Sequence, residues 1–266
     1  MRNSLAQDVR RGLFAAATVL VMTWPQPLAQ AVAAVTFSKP GHADSIVVRL
    51  ADFRGEPTGP DARELASWVA DTRDNADLDF VIVDKRRATV LVFDSAARLL
   101  GSSPVLLGAA RGDETVPGIG SRPVALVKPH ERTTPAGRFI AERGHNARGE
   151  DVVWVDYDAA VSMHRVRTTD PKERRLERLA TPSVDDNRIS YGCINVPVAF
   201  YERYIGPAFA TKRAVVYVLP EVKSLQQVFG FHDIASAHPP PVPVTIADAV
   251  EDVSAAGTTT ARVRSP

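Results

Sequence analysis

The chain has 266 residues, 45% of them hydrophobic, which is enough for one well-buried domain with terminal additions and too apolar for a disordered chain. Its 32 Lys and Arg nearly balance 31 Asp and Glu, for a formal net charge of +1. That balance excludes a general electrostatic footprint for nucleic acid, so no nucleic-acid partner is expected.

The N-terminus has the order of an export signal. Arg2, Arg10 and Arg11 form a basic lead, and residues 12–24 form an uncharged, largely apolar run too short to span a membrane comfortably. Pro25 and Pro27 break any helix, and Ala29-Gln30-Ala31 and Ala31-Val32-Ala33 both offer small-residue cleavage sites. Residues 1–31 are therefore expected to be a signal peptide for the general secretory route. The expected location is the periplasm or cell envelope, with membrane contact only if the signal stays uncleaved as an anchor.

Residues 32–77 read as a lead-in segment. It holds a strand-like run from Ser45 to Leu50 and a helix capped by Asp61 and continuing to Thr72, with Leu65, Trp68 and Val69 at helical spacing. From Leu78 the pattern turns to short runs rich in Val, Ile and Phe. Asp79 to Asp84 and Ala88 to Phe93 form a hairpin around a charged turn, Lys85-Arg86-Arg87. Arg98 to Ala109 is a strand pair or a bent strand, and residues 108–122 form a glycine-containing loop.

Gly137 to Ala141, Val152 to Tyr157 and Ala160 to His164 are further strands. Asp170-Pro171 opens a helix over Lys172 to Ala180 whose charges read most simply as a solvated face, with contact to an acidic polymer as the alternative. A helix from about Pro197 to Tyr204 is capped by Asn195, and Arg213 to Leu219 is a closing strand. After Pro220 the signals fade, and residues 221–266, with Pro239-Pro240-Pro241, read as a Pro-rich, flexible tail. Many short strands and few helices predict a mainly β fold, sandwich or barrel-like, over residues 78–220.

Cys193 is the only cysteine, so no internal disulfide forms, although an exported domain commonly pairs its cysteines. A lone cysteine is by itself equally a small buried hydrophobe. Its surroundings, Arg188 to Pro197 (RISYGCINVP), argue for chemistry. A strand runs into Tyr191-Gly192-Cys193 and then towards the expected helix start at Asn195. There, turn amides and the helix dipole favour the thiolate. Gly192 permits a tight turn and leaves room for a substrate carbonyl, and the N–H groups of the turn can face an oxyanion.

Activation also needs a base. Of the six histidines, His164 ends an apolar run whose strand can aim its ring at a neighbouring loop. His130 and His145 lie in loop-like sequence, and His42 and His238, outside the proposed core, carry little weight. No His, Cys and Asp cluster has ligand spacing, so no metal and no cofactor is implied.

These residues resemble the L,D-transpeptidase catalytic domain of bacterial cell-wall enzymes, the YkuD-type domain. The family signature places a histidine before Ser or Thr, His, Gly, Cys, a hydrophobic residue, and Asn or Arg. The matching positions are His164, then Ser190, Tyr191, Gly192, Cys193, Ile194 and Asn195. An upstream Thr-Pro-x-Gly-x-Phe turn is matched by Thr134 to Phe139.

The resemblance implies Cys193 as nucleophile and His164 as base, with Gly192, Tyr191, Ser190 and Asn195 in oxyanion stabilisation and substrate positioning. It implies peptidoglycan stem peptides as substrate. The acceptor is a second stem, a lipoprotein lysine or water, so hydrolases of the same fold (carboxypeptidase or amidase) and a non-catalytic wall-binding protein stay open.

Two departures stand out. Tyr191 replaces the family's second histidine, as a substitute donor, a packing residue or a mark of lost activity. The stretch from His164 to Cys193 is also longer than usual. Its extra residues include the charged helix, expected as a lid or rim, and Arg165 follows the base where glycine is usual.

Overall fold

The computed structural model describes residues 48–210 and 213–230. The export signal, His42, His232, His238 and the Pro-rich segment at residues 239–241 lie outside the described residues, as does the first part of the strand expected from Ser45. Residues 48–50 form no strand, and pairing begins with a single bridge between Asp52 and Arg98. Among the described residues no helix is long and apolar enough to cross a membrane.

The first helix, α1 (Pro60–Thr72), starts one residue before the expected cap. Gly59 is the cap and Pro60 supplies the preset φ of the first turn. Asp61 sits inside that turn, where its charge meets the positive end of the helix. Ala62, Leu65, Ala66 and Val69 recur at three- and four-residue spacing and are all buried.

Among the described residues ten strands follow: β1 (Phe80–Asp84), β2 (Thr89–Phe93), β3 (Leu99–Pro104), β4 (Leu107–Gly108), β5 (Gly137–His145), β6 (Asp151–Asp156), β7 (Val161–Arg165), β8 (Arg188–Ser190), β9 (Ile194–Val196) and β10 (Ala214–Val218). Eight of them form one sheet in the order β3-β2-β1-β10-β5-β6-β7-β9, with β1–β10 and β7–β9 parallel. The sheet nearly closes on itself. Leu106, just beyond β3 on one edge, exchanges both backbone hydrogen bonds with Asn195 of β9 on the other, at 2.8 and 2.9 Å. The two-stranded pair β4–β8 completes the seam. The fold is therefore mainly β and barrel-like with few helices.

Strands β1, β2 and β10 are buried on both faces, which is why they read as unbroken apolar runs. Val81, Val83, Val90, Val92, Val216 and Val218 fill the interior with Met163 and Ile194. Their alternating neighbours Phe80, Ile82, Leu91, Phe93, Val215 and Tyr217 form a second core under α1. Phe80 and Phe93 stack at 4.7 Å. Each such side chain contributes about 1.5–3 kcal/mol by leaving water.

Four further expectations change. Lys85, in the charged hairpin turn, is fully buried. The charged helix is split: Asp170 caps a 3-10 turn over Pro171–Glu173, Arg174 turns left-handed at φ 49°, and α2 begins only at Arg175–Ala180. Asn195 caps nothing, because it pairs within β9. The helix after it is α3 (Val198–Phe200), which runs through a π-helical stretch (Tyr201–Ile205) into α4 (Gly206–Ala208). Pro197 follows the strand as the helix cap, and it keeps Val196 before it extended. The packed chain also continues past Pro220. Glu221 is buried and paired, and α5 (Leu225–Phe229) buries Leu225 behind a Ser224–Gln227 capping box.

Candidate active site

The site lies where β7 and β9 run parallel. Their register sets Met163 beside Ile194 and His164 beside Asn195. The turn before β9 therefore brings Cys193 alongside the strand that carries His164. Because alternate residues share a face, Ser162 points the same way as His164. Its hydroxyl lies 3.6 Å from the Cys193 sulfur, and the Ala160 carbonyl lies 3.7 Å from it.

Burial pushes the Cys193 thiol up, but the opposing influences win and its pKa falls below the ordinary value. The nearby His164 imidazole is the strongest of these influences and favours the charged form, and Ser162 adds to this. His164 is oriented by its own chain: Nδ1 lies 2.8 Å from the Arg165 carbonyl oxygen. A carbonyl only accepts, so Nδ1 carries the hydrogen and, in the neutral ring, Nε2 keeps its lone pair for the thiol proton.

The turn itself is held from several sides. Gly192 has φ 132°, and a Cβ there would approach the Thr133 carbonyl oxygen to 2.7 Å, so both conformation and space require glycine. Thr134 Oγ1 donates to the Gly192 carbonyl and accepts from the Gly108 N–H, each at 2.9 Å. Ser190, buried, donates through Oγ to the Cys193 carbonyl at 2.6 Å and accepts the Gly192 N–H at 3.1 Å. Asn195, fully buried, donates through Nδ2 to the same Cys193 carbonyl at 3.2 Å. Ser190 and Asn195 thus shape the turn from behind rather than lining an opening. Tyr191 is half-exposed, and the Arg132 guanidinium sits over its ring at 4.0 Å.

A cleft of about 580 Å³ opens beside His164, lined in part by Arg143, His145, Glu150, Asp151 and Arg167. His145, placed in a loop by the sequence, ends β5 at this cleft. The arginines are paired: Arg143 and Arg165 with Asp151, Arg165 also with Glu202, and Arg167 with Glu150. Arg165 thus fixes the wall of the cleft with its side chain and the His164 ring with its carbonyl. No group of three or more His, Cys, Asp or Glu side chains able to hold a metal occurs among the described residues.

Sequence reasoning missed four contributors. Ser162 carried a usable signal, since it stands two positions before His164 on a strand. The Arg165 carbonyl and the hydroxyl of Thr134 carried none, because their roles depend on which segments meet. Arg175, in the helix read as a solvated face, donates to Asn195 Oδ1 at 2.5 Å.

No family model and no curated protein matches the chain. Among solved structures, it is similar to the helical cell shape determining protein Pgp2 from Campylobacter jejuni, at 14% identity and a TM-score of 0.37, over 55% of this chain and 49% of that one. It is also similar to the L,D-transpeptidase (residues 123–326) from Xylanimonas cellulosilytica, at 14% identity and a TM-score of 0.34, over 53% and 60%. An L,D-transpeptidase from Mycobacterium smegmatis is similar at 15% identity and a TM-score of 0.31, over 53% and 58%. The match spans about half the length of Pgp2.

Proposed function

We propose that the protein is an exported cysteine acyltransferase that acts on peptidoglycan stem peptides, an L,D-transpeptidase. The observation that carries this reading is the parallel register of β7 and β9, which sets the Cys193 turn beside the strand of His164, whose Nδ1 is held by the Arg165 carbonyl. The motif residues and the Thr134 to Phe139 turn agree with it.

In this reading His164 Nε2 takes the thiol proton. The thiolate attacks the carbonyl of the bond between the L-centre of a diamino acid and a terminal D-alanine. The Gly192 N–H is already bound by Ser190, so the Cys193 N–H is the turn amide offered to the oxyanion. The C–N bond breaks, His164 returns its proton to the leaving amine, and a thioester remains on Cys193. An incoming amine, from a neighbouring stem or a lipoprotein lysine, then attacks the thioester and frees the thiol, while attack by water would make the enzyme a carboxypeptidase. Tyr191, at the open side of the turn, positions the stem peptide.

The test is incubation of the chain with purified tetrapeptide muropeptides, followed by mass spectrometry, beside Cys193→Ala. Release of D-alanine that depends on Cys193 is expected, and the products identify the acceptor. Unchanged muropeptides with no thioester on Cys193 would sink the proposal.

A further inference from the structure

The stretch between base and nucleophile is a built element, not a loose cover. Leu179 of α2 packs with Leu106 and Val166 in a small apolar cluster of its own, against Ile189. The Val166 N–H donates to the Val196 carbonyl at 2.7 Å, and Asn187 Nδ2 donates to the Val105 carbonyl at 2.9 Å. From this base, Arg175 at the start of α2 reaches inwards. Its side chain is 14% exposed, its Nε donates to Glu173 at 2.6 Å, and its Nη1 donates to Asn195.

Asn195 has an amide that could face either way. Its two partners settle the matter, because a guanidinium only donates and a carbonyl only accepts. Arg175 therefore requires Oδ1 on its own side, which turns Nδ2 onto the Cys193 carbonyl. Without that donor, the flipped amide would set an oxygen against the carbonyl oxygen in a site with no exposure. Resting on the reading of Cys193 as the nucleophile, we propose that Arg175 is a positioning residue. Acting through Asn195, it fixes the Cys193 carbonyl, and with it the seat of the sulfur against His164 and Ser162. The lengthened segment is then a brace for the nucleophile, built from the chain between the two reacting residues.

The experiment reads Cys193 directly, without turnover. The rate of iodoacetamide alkylation is followed against pH for the wild-type chain, Arg175→Met, Arg175→Lys, Asn195→Ala, the Arg175→Met/Asn195→Ala double variant and Glu177→Gln, with a thermal melt of each. Arg175→Met is expected to raise the apparent pKa of the thiol by about half a pH unit, a threefold loss of thiolate. Asn195→Ala should do the same and the double variant no more, because both break one chain of contacts. Arg175→Lys keeps a donor and should restore the wild-type profile, and Glu177→Gln should leave it unchanged. A role in stability alone would lower the melt and leave the profile in place, which would overturn the proposal, as would additive shifts in the double variant. An ordinary thiol pKa in the wild-type chain would instead overturn the nucleophile reading itself.

Discussion

Two polar groupings lie on either side of the Cys193 turn, and they are satisfied to different degrees. Behind the turn, Lys85 donates to Asp113 at 2.8 Å and to the Gly112 and Thr134 carbonyls at 2.5 and 2.9 Å. Arg188 holds Glu221 at 2.6 Å and the Lys85 carbonyl at 2.8 Å. Asp113 also accepts the N–H groups of Glu221, Val222 and Lys223. Every charge there has an opposite charge beside it, although the buried Arg188 Nε has no partner, and the cluster holds the segments together. In front of the turn, Cys193 and His164 have fewer partners, and a cleft opens beside His164. The difference teaches that buried charges paired with one another make a scaffold, while a half-buried thiol and imidazole with few partners are left able to exchange a proton. The two are joined through Thr134, whose carbonyl takes Lys85 and whose hydroxyl holds Gly192.

The contrast can be broken from either side. Removing the base should have the largest effect on chemistry: His164→Asn is expected to slow thioester formation by about 10²–10⁴-fold. It should also raise the alkylation pKa of Cys193, because His164 supplies the strongest of the influences that lower it. Folding should survive, which a thermal melt checks. On the scaffold side, Lys85→Met leaves two buried carboxylates without their ammonium. It is expected to cost about 3–5 kcal/mol in urea denaturation.

Acid should separate the two groupings more gently. Burial pushes the Asp113 carboxyl up, but the Lys223 and Glu221 N–H groups and Lys85 bring it from 3.8 down to about 2. Its folded pKa lies below its unfolded value, so its contribution is fully present above about pH 4 and is lost as pH falls through about 2. The expected loss, about 2 kcal/mol, should vanish from the denaturation profile of Asp113→Asn. The smallest effect belongs to the solvated face of α2. Glu177→Gln breaks only its exposed pair with Arg174 and should leave the denaturation midpoint in place.

Much of the frame was legible. The apolar runs at residues 79–84 and 88–93 became β1 and β2 nearly to the residue, because strands buried on both faces need no context to be recognised. The spacing of Leu65 and Val69 marked α1 for a similar reason. The misread places share a different cause. Lys85 in a turn and Arg175 in a charged helix look solvated because charged residues usually are, and only their distant partners, Asp113 and Asn195, keep them inside. Asn195 looked like a cap because its local sequence permits one. Leu106, far away in the chain, takes its backbone hydrogen bonds and makes it strand instead.

The sequence by itself determined the β-rich pattern, the lone thiol at a glycine turn and the histidine at a strand end, all of which follow from local spacing and residue chemistry. Only the tertiary structure decided that β7 and β9 run side by side, which turns a histidine and a cysteine far apart in the chain into neighbours. It also decided which ring nitrogen of His164 keeps its lone pair, through the Arg165 carbonyl, and which way Asn195 points, through Arg175. Hydrogen-bond direction is a property of a pair of groups, and only the fold brings the two members of each pair together.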